Sequence, residues 1–319
     1  MNRANCRICL QPLGKESVPY HDRCCMKLFD APQPPSVPYS WAQINRLAEM
    51  TVRQQVTVPG VQPKLSVHLE SDSTTSGGRF TLVGMEGGYI LKPPVESYPE
   101  RPELEHLTMC MARDFGIHTA ACGLIPLEDG RLCFITRRMD REGPVKIHME
   151  DMCQLTDRLT EQKYRASMEQ IGKTILRYST NPGFDALRFF ELAIFCFLTG
   201  NADMHLKNFS LLYKLGGEVA LSPAYDLLPT VLLLPEDKEE VALTLNGRKR
   251  RLVRNDFEQF GHSLKLTGKQ MENALGRFRN GLPTALDTLG RGLCSSEVKD
   301  AFRELIQARA NRIQLIAGP

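Results

Sequence analysis

The stretch GNADMHLKNFSLL, Gly200 to Leu212, decides how this chain is read. It follows the most apolar helix candidate, DALRFFELAIFCFLTG (Asp185 to Gly200), and precedes a hairpin candidate, FSLLYKL-GG-EVALSPAYD (Phe209 to Asp226). A polar loop on so rigid a base is a common seat of catalysis. Within it Asp203 precedes Asn208 at the interval D-x-x-x-x-N, which in phosphotransfer loops separates the base from a metal-binding amide. Asp226 closes the hairpin that follows.

Phosphoryl transfer needs a carboxylate to take the proton of the attacking hydroxyl, and hard oxygen ligands to hold magnesium against the phosphates. Asp203 supplies the first; Asn208 and Asp226 supply the second, in chain order. Upstream, Lys92 in GYILKPP lies on a predicted strand, as a phosphate-pairing lysine does, with Glu105 or Glu103 on the following helix as its ionic partner. Singly, each feature is ordinary: a strand lysine is usually a solvated edge charge, and an Asp-rich loop after a helix is usually a cap or turn. The ordered set carries the reading. Lys207 and His205 share the loop, where they either stay solvated or contact the transferring phosphate and order the base.

Around this site the chain reads as α+β. From Val56 come short β-rich runs (VTV, KLSVHL, RFTLVG, GYILK, LCFIT) separated by turn residues, interrupted by one helix, Pro102 to Phe115, that stops at Gly116. ESDSTTSGG, Glu70 to Gly78, reads as a hairpin tip. Beyond Met149 the pattern is mainly helical, with a second hairpin, VALTL-NG-RKRRLV, and a helix capped by Asn255 or Asp256. The expected organisation is a Cys/His-rich segment over 1–30, a proline-rich linker over 31–55, a β-rich nucleotide-binding lobe over 56–139 and a helical catalytic lobe over 140–319.

With 319 residues, 42% hydrophobic and 24% charged, the chain can bury a substantial core. A net charge of +3 is too mild for a nucleic-acid footprint, and GRKRRLVR (Gly247 to Arg254) alternates with apolar residues as a solvated hairpin face does. The longest nearly apolar run, Phe189 to Thr199, is too short to span a bilayer, and the start lacks a signal peptide's apolar region, so no membrane contact and a cytoplasmic location are expected. Cys110, Cys122, Cys133, Cys153, Cys196 and Cys294 are scattered singly through apolar segments, as buried free thiols are. Trp41 is read as packing.

The motifs VPGVQPKLSV, GYILKPP, HMEDMCQL, GNADMHLKNFSL and LSPAYDLLPT together resemble the HipA-like kinase family, the toxin half of bacterial toxin–antitoxin pairs. The resemblance runs from Val56 over most of the chain and implies a two-lobed, ATP- and magnesium-dependent serine/threonine protein kinase whose substrate is a translation protein, typically an aminoacyl-tRNA synthetase. It implies Asp203 as catalytic residue, Asn208 and Asp226 as magnesium ligands, and Lys92 as the ATP lysine. By the same resemblance His205 and Tyr225 are nucleotide contacts, Arg137 to Met139 the adenine hinge, and Gly60, Val61, Gln62 and Lys64 the loop over the phosphates. That loop, TVPGVQPK, holds one glycine and two prolines where ordinary kinases have G-x-G-x-x-G. Thr57 is the nearest hydroxyl for the self-phosphorylation known in the family. Lacking the family's additional N-terminal subdomain, the chain is similar to the short HipT form, whose partners are a HipB-like helix-turn-helix antitoxin and a separate HipS-like protein, with DNA reached through the antitoxin. A small-molecule kinase of the aminoglycoside or sugar type shares the same metal chemistry, and a catalytically idle binding partner is the rival from another class.

CRIC (Cys6 to Cys9) and YHDRCC (Tyr20 to Cys25) offer two ligand pairs, Cys6 with Cys9 and His21 with Cys24 or Cys25, at spacings a tetrahedral zinc site accepts. The alternative is reduced thiols packed against the sheet.

Overall fold

A computed structural model describes residues 5–14, 16, 18–54, 64–72, 75–83, 87–143 and 145–316. The chain divides into two compact units: Met1–Cys110 with Ala120–Arg138 and Arg291–Cys294, and Met111–Thr119 with Met139–Gly290 and Ser295–Pro319.

In the first unit, β1 (Leu65–Asp72), β2 (Thr75–Leu82), β3 (Tyr89–Lys92), β4 (Cys122–Pro126) and β5 (Leu132–Arg137) form one antiparallel sheet in the order β2-β1-β3-β5-β4. Alternation of buried apolar residues selects its packed face: Leu65, Val67, Phe80, Leu91, Cys133 and Ile135 are buried together. Two helices precede it, α1 (Asp22–Phe29) and α2 (Trp41–Gln54), so the segment read as linker carries a helix over its second half. Residues 5–30 do not stand apart either. Cys6, Ile8, Tyr20, Cys25, Leu28 and Phe29 belong to the sheet's core, where Phe29 meets Phe80 edge-on at 6.1 Å. A Cβ on Gly123 would lie 2.9 Å from Ile8 Cγ1 and 3.2 Å from the Arg7 carbonyl oxygen, so only glycine lets this segment lie flat on β4. The helix α3 (Arg101–Asp114) follows β3 as expected, and the division between the units falls within it.

The second unit begins with the short strands β6 (Arg141–Glu142) and β7 (Val145–Lys146), then β8 (His148–Asp151). The helices α4 (Met168–Tyr178) and α5 (Pro182–Thr199) precede β9 (Ser210–Tyr213) and β10 (Val219–Leu221), and β10-β9-β8 form a small antiparallel sheet. After it come α6 (Thr230–Leu233), α7 (Arg254–Ser263), α8 (Gly268–Arg291) and α9 (Ser296–Arg312). α5 is the central helix its composition announces: Phe189, Phe190, Phe195 and Phe197 are all fully buried. Its one buried acid, Asp185, accepts from Ser179 Oγ (2.5 Å) and the Leu221 amide (2.9 Å) and pairs with Arg188 (3.0 Å), which ties β10 to the helix. At the other end Arg309 of α9 donates to the Phe197 carbonyl, and burial pulls its guanidinium down to about 10.

Local chemistry departs from the expected hairpins in two places. Between β9 and β10 the loop is longer than two residues, with the Lys214 amide bonded to the Glu218 carbonyl and Gly217 at φ +83°. Around Asn246 and Gly247 the tight turn forms, both residues having positive φ, but it joins only a single bridge, Leu245 to Arg248, rather than two strands. Two of the side chains there find acids instead: Lys249 pairs with Glu239 at 3.0 Å and Arg254 with Glu258 at 2.8 Å, so this basic run is partly neutralised locally. Neither Asn255 nor Asp256 is the N-cap of α7: the helix starts earlier than expected, at Arg254 after Val253, and Asp256 reaches back from its first turn to accept from the Val253 amide at 2.9 Å. The six scattered cysteines are buried free thiols, as their settings predict. Among the described residues no helix is long and apolar enough to cross a membrane.

Candidate active site

Gly200 ends α5 at φ +75°, where a Cβ would stand 2.7 Å from Leu305, and so turns the chain into the loop that holds Asp203. The buried Asn201 braces this turn, its Oδ1 accepting from the Asp203 amide at 3.2 Å. A 3-10 turn over Leu206–Asn208 then leads into β9. This turn explains the five-residue interval. It folds Asn208 back so that Nδ2 donates to the Asp203 carbonyl at 3.0 Å, which leaves Oδ1 out of that bond.

The Asp203 carboxylate is half-buried, and Oδ1 accepts a 2.5 Å hydrogen bond from the Tyr164 hydroxyl. Among the described residues Oδ2 accepts none. Burial and this bond push the Tyr164 phenol well above its usual range, with the charges of Asp203 and Asp226 acting in the same direction. Both carboxylates also act on His205, so Asp203 and Asp226 share one electrostatic neighbourhood. Asp226 itself takes φ +59°, a left-handed conformation that Asp tolerates better than most non-glycine residues.

The other loop residues are placed as follows. Lys207 Nζ meets Asp151 of β8 at 2.7 Å, with the lysine side chain 37% exposed. His205 is buried against Tyr164, ring centroids 5.1 Å apart, and its Nδ1 has no partner among the described residues. Burial holds its imidazole below the usual histidine range despite the nearby carboxylates. Tyr225 uses its hydroxyl within the protein: it donates to the Lys207 carbonyl at 2.8 Å and lies 2.7 Å from Ser210 Oγ, so it fastens the Asp203–Asn208 loop to β9.

In the first unit, Lys92 ends β3 and Glu105 rises from α3 to meet it at 2.6 Å, both groups buried. Glu105, not Glu103, is therefore the partner, and Lys92 also lies 5.4 Å from the ring centroid of its cross-strand neighbour Phe134. Glu103 faces another surroundings, a pocket of about 410 Å³ lined also by Trp41, Pro94, Arg131 and Leu132, where burial raises its carboxyl to about 7. Trp41 packs there, donating to the Pro94 carbonyl at 3.0 Å. Leu65 pairs with Leu91, which brings Lys64 to the end of β3 that carries Lys92. Gly60, Val61, Gln62 and Thr57 lie outside the described residues. At the expected hinge Arg137 is clamped to Asp30 by two bonds, 3.0 and 2.8 Å, while Met139, where the chain re-enters the second unit, makes no backbone hydrogen bond among the described residues. The zinc candidates Cys6, Cys9, His21 and Cys24 come together, whereas Cys25 points into the core with its thiol raised by burial to about 12.

Sequence reasoning missed Tyr164 and Asp151, the side chains that touch Asp203 and Lys207. Tyr164 sits in an irregular segment whose sequence carries no period; Asp151 lies within HMEDMCQL, where its pairing with a distant lysine has no local signal.

A family model described as HipA-like C-terminal domain matches residues 56–286. Two relatives carry "Putative kinase" in their names: one of Haemophilus influenzae, 29% identical over 82% of this chain and 83% of its own length, and Y4dM of Sinorhizobium fredii, 32% identical over 61% and 49%. The chain thus spans most of the first relative but about half of the second. Among solved structures, the fold is similar to that of Shewanella oneidensis HipA, crystallised with HipB and operator DNA (TM-score 0.68, 20% identity, 81% of this chain and 65% of that one). It is also similar to Helicobacter pylori proinflammatory kinase CtkA (TM-score 0.54, 14% identity, 77% and 93%).

Proposed function

The chain belongs to the HipA-like C-terminal domain family, and on that premise we propose that it is an ATP- and magnesium-dependent protein kinase that phosphorylates serine or threonine hydroxyls. The observation that carries the reading is the Asp203 carboxylate with one oxygen fixed by Tyr164 and its backbone carbonyl bound by Asn208. Oδ2 takes the proton of the attacking hydroxyl as that oxygen bonds to the γ-phosphorus and the bond to the ADP oxygen breaks. The donor set fits a hard cation: Asn208 offers an amide oxygen and Asp226 a carboxylate in the same neighbourhood. Magnesium, when bound, would neutralise charge on the phosphates. In the first unit the buried Lys92, held by Glu105, offers an ammonium suited to a phosphate. Tyr164 and Tyr225 act as positioning residues.

The finer assignments follow the family. The substrate is a translation protein, with an aminoacyl-tRNA synthetase first in line. A HipB-like antitoxin and a separate HipS-like protein are the partners, and the Shewanella neighbour, crystallised with HipB and operator DNA, supports the first of these. Thr57 is the self-phosphorylation site; intact mass of active protein showing no phosphate, with Thr57→Ala unchanged in activity, removes that assignment. Phosphoproteomics of cells expressing the chain, against an Asp203→Ala control, tests the whole reading. New phosphoserine or phosphothreonine confined to a few proteins is expected. Phosphate on a small metabolite with the proteome unchanged would establish the small-molecule kinase instead.

A further inference from the structure

The N-terminal Cys/His cluster takes no part in the chemistry above, and its geometry is specific. One ligand atom from each of Cys6, Cys9, His21 and Cys24 lies within 4.8 Å of all the others. Cys9 Sγ is 3.4 Å and Cys24 Sγ 3.8 Å from His21 Nδ1, close to the roughly 3.6 Å sulfur-to-nitrogen edge of a tetrahedron built on ordinary zinc bond lengths. The surroundings orient these donors. His21 Nε2 lies 3.2 Å from the Pro12 carbonyl, which fixes the proton there and leaves the Nδ1 lone pair facing the sulfurs. The His21 amide donates to Cys6 Sγ at 3.4 Å, and the Leu10 amide closes the C-x-x-C turn onto the Cys6 carbonyl at 2.9 Å, with Leu10 itself left-handed at φ +58°. Four converging sulfur and nitrogen donors, with hydrogen bonds orienting Cys6 and His21, are what a closed structural metal site requires.

We infer that Cys6, Cys9, His21 and Cys24 bind one structural zinc ion, which fixes the two residues inside the C-x-x-C turn as a clip on the nucleotide-binding sheet and its helix. Those two residues do the holding. The Arg7 carbonyl accepts from the Leu124 amide at 2.8 Å on the edge strand β4, while the Tyr20 hydroxyl donates to the Leu124 carbonyl at 2.8 Å, so the segment closes an exposed sheet edge. The Ile8 carbonyl lies 3.1 Å from His106 Nε2 and 3.6 Å from Cys110 Sγ, both on α3, His106 next to Glu105 and Cys110 one turn beyond His106. Zinc would thus steady the helix that presents the partner of Lys92.

The test is elemental analysis of the full chain, purified without a histidine tag from zinc-supplemented medium. One zinc per chain and no iron is expected; absence of metal, or iron in place of zinc, overturns the inference. Cobalt exchanged into the wild-type chain should give the intense visible bands of a tetrahedral thiolate site, and weak octahedral bands would contradict it. Cys25→Ser and His21→Cys should each keep one zinc, whereas Cys9→Ser should lose it; loss in Cys25→Ser would break the ligand assignment. None of these readouts depends on kinase activity, so the clip and the proposed reaction stand or fall separately.

Discussion

Lys92 and Asp203 are each held by one very short hydrogen bond, 2.6 Å to Glu105 and 2.5 Å to Tyr164, yet their settings are opposite. The Lys92 pair is dry, with 8% and 0% of the two residues exposed, so its two charges depend on each other and on the packing of β3 against α3. Asp203 is half-buried in a loop, and its partner is a neutral phenol. For the proposed reaction, in which Asp203 accepts a substrate proton, a counter-charge sealing it would be a hindrance; the Tyr164 hydroxyl orients one oxygen and leaves the other to react. The first region therefore exchanges stability for a fixed charge, and the second keeps its stability apart from its chemistry.

The comparison breaks most readily at Glu105. Glu105→Ala leaves a buried ammonium without its carboxylate and should cost about 3–5 kcal/mol in urea unfolding, whereas joint replacement with Lys92→Met should recover most of that loss. Glu103, next in effect, has a folded pKa raised from 4.5 to about 7, so the folded state holds its proton more tightly than the unfolded chain. Its contribution is complete below pH 4.5 and is lost as pH rises through about 7. Glu103→Gln should accordingly be more stable than wild type at pH 8, by on the order of 2 kcal/mol after allowing for partial exposure, and indistinguishable at pH 4. Thermal melts at the two pH values decide this.

Tyr164→Phe sharpens the contrast from the other side. Phosphoryl transfer should fall about tenfold, near 1.4 kcal/mol, with the unfolding midpoint little moved. An unchanged rate would make Tyr164 packing alone. Smallest in stability is Lys207→Met: its partly exposed pair with Asp151 is worth less than about 1 kcal/mol, so any larger fall in phosphoryl transfer would mark a direct role for the ammonium.

What the sequence shows of this molecule is what local chemistry dictates. The D-x-x-x-x-N interval is legible because one 3-10 turn after a glycine-capped helix sets it, and α3 and α5 are legible from their periodicity and their Gly116 and Gly200 stops. The choices between neighbours are not. Glu105 against Glu103 depends on which helix face meets β3, and Cys24 against Cys25 on which side of α1 meets the sheet. α2 was hidden behind the prolines that precede it, and the VALTL-NG-RKRRLV turn looked like a hairpin because its Asn-Gly signal is real while the flanking residues bond elsewhere. Tyr164, the tightest neighbour of Asp203, lies 39 positions away in sequence, where no pattern reaches.

The most direct measurement is transfer of label from γ-labelled ATP to protein, with purified wild-type chain and Asp203→Ala compared in one bacterial lysate at matched folding. A discrete labelled protein is expected with wild type, and a rate lower by about 10²–10⁴ with the variant. Equal labelling by the two, or none by the folded wild type, would contradict the proposed reaction.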